Sequence, residues 1–213
     1  MVEILQARAV NLRDLIDKFD IQLVEDPQFF CEWQDDLPEL TDLDKQLLDK
    51  VKAGYINLRN YPPLLEKALR MAVLDPMLFI GNFYLFPFYV KAEHPVEIIS
   101  EDEGTIVRGT IDTLVLKDQF WVMVIESKQD RYSTEAGLAQ ILAYMLGNPH
   151  PYRPNYGMIH AGGTFIFVKL VKAEAPLYAL SRMFGIRNPG NDLYTVLKIM
   201  KRLSQLVISP TES

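Results

Sequence analysis

The chain has 213 residues, of which 49% are hydrophobic and 23% charged, with a net charge of −6 and a pI near 5.1. That length suits one domain, or one domain carrying an extension, and the composition is that of a folded protein rather than a disordered one. The single cysteine, Cys31, excludes an internal disulfide and a cysteine-based zinc site.

Apolar runs fall short of the roughly 20 residues a membrane span needs. The opening "MVEILQARAVNLRDLIDKFD" lacks the cationic start and apolar stretch of a signal peptide. The expectation is a soluble, cytoplasmic protein with no membrane partner. Overall acidity argues mildly against a nucleic-acid binder, whose bound face is basic. The charge is uneven, however. Residues 1–100 carry 10 basic and 17 acidic side chains, a net −7, whereas residues 101–213 carry 12 and 11, a net +1. A local basic groove in the second half stays open.

Residues 4–18 space their apolar side chains as a helix does. Residues 20–40 read as irregular and acidic. "LTDLDKQLLDKVKAGY" predicts a helix capped by Thr41, with Leu43, Leu47, Leu48 and Val51 on one stripe and a stop at Gly54. Residues 1–60 therefore read as a helical extension packed on a core formed by 61–213. In "YPPLLEKALRMAVL", Pro63 suits a first helical turn. Leu65, Leu69 and Val73 share a face, with Glu66 and Arg70 beside them.

"FYLFPFYVKAEHPVEII" reads as extended and broken by prolines. "TIVRGTIDTLVLKDQFWVMVIESK" reads as two strands joined at Lys117-Asp118-Gln119. The second, continuously apolar, has the pattern of a central strand covered on both faces. "STEAGLAQILAYMLGN" is a helix capped by Ser133 or Thr134, with Glu135 in its first turn and a stop at Gly147-Asn148-Pro149. A hairpin around Ala161-Gly162-Gly163 and a closing helix, "DLYTVLKIMKRLSQLV", complete the chain. The order from residue 61 is helix, three strands, helix, two strands, helix: an α/β (α+β) fold with a mixed central sheet flanked by helices.

Chemistry concentrates in "IDTLVLKDQFWVMVIESKQD". Strand alternation sends Glu126 and Lys128 to one face and Ser127 to the other. Pairing about the 117–119 turn brings Asp112 near residues 124–126, so one carboxylate from each strand converges. Two carboxylates and a carbonyl suit Mg²⁺, which polarises phosphate oxygens and acidifies bound water. A neighbouring lysine can orient that water or offset developing charge. The competing explanation is a same-face Glu-x-Lys ion pair at a strand end. It leaves Asp112 unexplained, and ionisable groups after a buried strand are costly unless paired or used. On the following helix Gln140 and Tyr144 are i and i+4 and share a face, beside the small Ala136 and Gly137. That face is either solvated or turned to a phosphate site.

The segments Gly109-Thr110-Ile111-Asp112, Val124-Ile125-Glu126-Ser127-Lys128 and Gln140-x-x-x-Tyr144 together resemble the PD-(D/E)xK nuclease superfamily. The Gln-x-x-x-Tyr extension is similar to that of the nuclease domain in type I restriction motor subunits. The likeness spans about residues 61–172. It implies a restriction-endonuclease-like fold and a Mg²⁺- or Mn²⁺-dependent DNA endonuclease of restriction type. Asp112 and Glu126 become metal ligands, Lys128 the lysine beside the attacking water, and Gln140 and Tyr144 site organisers or DNA contacts. Glu66, on the first core helix, becomes a further metal-side acid. Implied partners are DNA, a second copy of the chain as a homodimer, or other restriction subunits. Ile111 stands where many members have proline, and no helicase motifs are present. Two alternatives stay open: a catalytically silent nuclease-fold scaffold subunit, and a nuclease for DNA ends or branched DNA. His94, His150 and His160 show no metal spacing and read as structural. Lys169, Lys172, Lys198, Lys201 and Arg202 line either a DNA-facing side or a solvated face.

Overall fold

The computed structural model describes residues 3–62, 65–100, 105–118, 120–128, 134–150 and 152–208. Strand β1 (Glu3–Gln6) passes through a 3₁₀ turn, Ala7–Ala9, into α1 (Leu12–Phe19). The helix expected over 4–18 thus begins only at Leu12. Its start is set by Asn11, whose side-chain oxygen accepts from the Asp14 N–H, while the Asp14 carboxylate accepts from the Asn11 N–H. This reciprocal cap satisfies two end donors, and the backbone before it is satisfied in the sheet instead.

After β2 (Gln22–Leu23) comes α2 (Asp42–Arg59), capped by Thr41 and Asp44 in the same reciprocal way. It does not stop at Gly54. Tyr55, the next residue, is fully buried, and its hydroxyl donates to the Gly162 carbonyl at 2.8 Å. Burying a large side chain is worth about 1.5–3 kcal/mol, against the ~1 kcal/mol that a mid-helix glycine costs.

Helix α3 (Glu66–Leu69) runs through a π-helical turn, Arg70–Leu74, into α4 (Asp75–Ile80). Pro63 lies outside the described residues, as do Ser133 and Gln119. Then follow β3 (Phe88–Ser100), β4 (Thr105–Lys117), β5 (Phe120–Lys128), α5 (Thr134–Leu146), β6 (Asn155–Ala161), β7 (Thr164–Val171), β8 (Leu177–Leu180), β9 (Phe184–Gly185) and α6 (Leu193–Ile208). Gly162 and Gly163, both at positive φ, make the expected β6–β7 turn.

The fold is mixed α/β, built on one mixed sheet with helices on both faces. β3, β4 and β5 form an antiparallel meander, β6 joins β5 in parallel, and β7 and β8 continue antiparallel. β3 occupies one edge of β4 along its whole length. The other edge is shared: β5 pairs with Thr113–Lys117, and β1 runs parallel to Thr105–Arg108. The extension also supplies the far end of the sheet, where β2 pairs with β8. The extension thus adds two strands to the helices expected of it.

Helices α1 and α5 cover one face through Leu15, Ile141 and Leu142, packed with Leu114, Val124 and Ile159. Helices α2 to α4 and α6 cover the other through Leu48, Val73, Met77 and Leu197, packed with Ile125 and Phe167. β5 is the buried central strand its apolar run predicts, with Val122 to Ile125 each at most 1% exposed.

The cations of the second half are largely engaged. Lys198, Lys201 and Arg202 on α6 pair with Glu39, Asp44 and Asp36 at 2.8, 3.2 and 3.2 Å, and Lys169 pairs with Glu32 at 2.5 Å. Such pairs are individually weak. Their arrangement shows what the charge asymmetry does, since acids of residues 32–44 meet bases of the second half. The Lys198 ammonium, hydrogen-bonded to Glu39, holds that carboxyl below its usual range.

Candidate functional site

The shared edge of β4 creates a fork. Pairing between β4 and β5 runs as far as Thr113 opposite Ile125 and then ends. β5 continues beside β6 to Lys128, while β4 continues toward β1. Asp112 and Glu126 are the first residues beyond the last pair, one on each prong. Across the other edge of β4, Glu93 sits between the Ala92–Thr113 and His94–Ile111 pairs and takes φ +52, a left-handed irregularity opposite Asp112.

A pocket of about 400 Å³ fills the fork. Asp112, Glu126, Gln140 and Tyr144 all line it, as do Gly109 and Thr110 from β4. The floor is α5. Its Gln140 and Tyr144 face is not solvated, because the two side chains are 6% and 2% exposed. Gln140 Nε2 donates to the Tyr144 hydroxyl at 2.7 Å. Tyr144 has its pKa pushed up to about 12, first by burial and next by the negative charge of Glu126, with Asp112 adding to it. The phenol therefore stays protonated at neutral pH. Both carboxylates thus act electrostatically on the one hydroxyl.

Gly109 permits this packing. A Cβ there would come within 2.6 Å of both the Ala7 Cβ and the Tyr144 Cε1. Neither can retreat, since Ala7 is 1% exposed and Tyr144 is locked on α5. Gly109→Ala is expected to destabilise the fold by about 1–3 kcal/mol through overpacking. Urea denaturation measures this; an unshifted midpoint would refute the close approach.

Positive charge enters from β1 and β4. Arg8, in the 3₁₀ turn after β1, and Arg108 both line the pocket with Gln6 and Ala7. Arg108 is paired with Glu97 at 2.6 Å. Arg70, in the π-helical turn, lies 3.5 Å from the Asp112 carbonyl and 3.4 Å from the Asp75 carboxylate.

Two further expected residues are less fully placed. Lys128 is the last residue of β5, with its backbone paired to Ala161; its side chain is outside the description. Glu66 opens α3 one turn before Arg70 and does not line the pocket. Among the described residues no group of three or more His, Cys, Asp or Glu side chains is gathered as for a metal ion. Two carboxylates on one pocket still make a hard-oxygen donor pair, and a divalent ion would offset their mutual repulsion. Asp112 and Glu126 are the residues that could hold such an ion, and hard carboxylate oxygens are the donor chemistry Mg²⁺ or Mn²⁺ takes.

Sequence reasoning did not find Gln6, Arg8 and Arg108. The signal of Gln6 and Arg8 was hidden because β1 reads as the start of a helix, and Arg108 carries no local mark that sets it apart from other strand residues. No protein-family profile matches this chain, and neither does any curated protein sequence. Among the described residues no helix is long and apolar enough to cross a membrane.

Proposed function

We propose that the chain is a Mg²⁺- or Mn²⁺-dependent DNA endonuclease of restriction type, a phosphodiester hydrolase of the PD-(D/E)xK kind. The observation that carries this reading is the fork pocket, in which Asp112, Glu126, Gln140 and Tyr144 face one cavity at the point where β4 and β5 part. The sequence order of helix, three-stranded meander, helix and parallel strand agrees with it.

In this reading Asp112 and Glu126 hold the ion, which when bound supplies Lewis-acid polarisation of the phosphate and a more acidic water. Water adds to phosphorus, the bond to the leaving sugar oxygen breaks, and that oxygen takes up a proton. Lys128, two residues beyond Glu126 on β5, is assigned to the attacking water and the charge gathering on the phosphate. Tyr144 keeps its proton and donates toward the anionic substrate, and Gln140 fixes the direction of its hydroxyl. Burial of Gln140, Tyr144 and Glu126 keeps these groups in place and strengthens their fields.

The test is incubation of the purified chain with supercoiled, linear and branched DNA in Mg²⁺ or Mn²⁺. The expected result is cleavage that chelation of the ion abolishes. No cleavage of any substrate, together with no calorimetric heat of Mn²⁺ binding, would sink the nuclease reading and leave the scaffold alternative.

A further inference from the structure

We infer that Arg8, carried by the N-terminal extension, is a phosphate-binding residue of the fork pocket, so that the extension is part of the substrate site rather than an ornament on the core. This rests on the nuclease reading above and deepens it by naming a contact to the DNA backbone.

The pocket holds two carboxylates, and a polyanion entering it needs cationic compensation beyond a single divalent ion. Two guanidinium groups line its rim. Arg108 is already committed to Glu97 at 2.6 Å. Arg8 is exposed and makes no ion pair among the described residues. Its position is nonetheless fixed. Strand β1 is pinned to β4 by the pairs from Glu3–Thr105 to Gln6–Arg108. The next residue, Ala7, is 1% exposed and seated against Gly109. A guanidinium on a fixed turn beside a carboxylate pocket is suited to grip two oxygens of one phosphate. Exposure of its side chain means that truncation removes the contact without removing packing.

The experiment is fluorescence anisotropy with a labelled DNA duplex of about 30 base pairs, in Mg²⁺, across a salt series. An Asp112→Asn background prevents cutting. Adding Arg8→Ala is expected to weaken binding about 5–10-fold and to lower the salt slope by about one. Arg8→Lys is expected to keep the slope and lose about 2–3-fold, because it retains the charge but not the fork of donors. Arg13→Ala, on the exposed face of α1 and paired with Asp17, is the control and is expected to bind unchanged. Equal binding by the Arg8→Ala and Arg13→Ala proteins overturns the role of Arg8 and leaves the nuclease reading standing. Absence of DNA binding in the Asp112→Asn background overturns both.

Discussion

If the proposed reading holds, Asp112→Asn and Glu126→Gln are each expected to reduce Mg²⁺-dependent DNA cleavage by on the order of 10³-fold, a loss of about 4 kcal/mol in transition-state stabilisation. Both changes are nearly isosteric, so they remove charge and leave volume. Glu126 is 1% exposed, and taking a charge out of that position relieves desolvation, so the Gln variant is expected to be at least as stable as the parent. Loss of activity with undiminished stability separates a site role from a structural one. The double variant is expected to lose little more than either single one, because both carboxylates serve one ion. Tyr144→Phe, which keeps the ring against Gly109 and removes only the hydroxyl, is expected to cost roughly tenfold. Steady-state cleavage of plasmid DNA, paired with thermal melts, reads all four. Full activity in Asp112→Asn would end the metal-site reading.

The residues at the centre of the pocket were legible in the sequence because they sit on strongly patterned elements. The unbroken run Val122–Ile125 marks a strand covered on both faces, and the hairpin length fixes its register. Counting from that turn set Asp112 near residues 124–126; the one-residue register shift between Val115 and Leu116, which counting does not reveal, is what puts it beside Glu126. Gln140 and Tyr144 were linked by helical spacing, but whether they faced water or the site was not decidable from α5 by itself. From Gly137 onward its remaining residues are apolar all round, and burial on every side is a property of the neighbours.

The extension was the illegible part. "EILQARAV" has apolar spacing that satisfies a helix, and nothing local announces a parallel partner about 100 residues later. A helix cap at Asn11 is a weak signal beside that periodicity. The same misreading hid Arg8 and Gln6, and with them one wall of the pocket. Gly54 misled for a related reason. A glycine stops a helix only when no buried residue beyond it repays continuation, and Tyr55 does. The cations of α6 were legible as a charged face, but their acidic partners lie more than 150 residues earlier, as with Lys198 and Glu39.

His160 predicts a distinct acid limb in the stability of the protein. The residue is 1% exposed on β6, and its ring stacks on Phe165 at 4.6 Å and 8°. Neither ring nitrogen has a hydrogen-bond partner among the described residues. Burial lowers its pKa from 6.5 to about 4. The unfolded chain therefore takes up a proton near pH 6.5 that the folded chain refuses until about pH 4. Stability is unaffected by this group above pH 6.5, falls as pH drops from there to about 4, and falls no further below. The gap is worth about 3 kcal/mol. His94, half-buried against Trp121 and near Lys91, is pushed in the same direction. The lowered carboxyls of Glu39 and Asp49 act only at the acid end of this window and below it, since their ordinary values are 4.5 and 3.8. His160→Leu removes two orphaned polar atoms as well as the titration. It is expected to match or exceed the parent at neutral pH and to flatten most of the decline toward about pH 4.5. Urea denaturation at the two pH values measures this. A decline of equal depth in His160→Leu would mean that the buried imidazole is not its source.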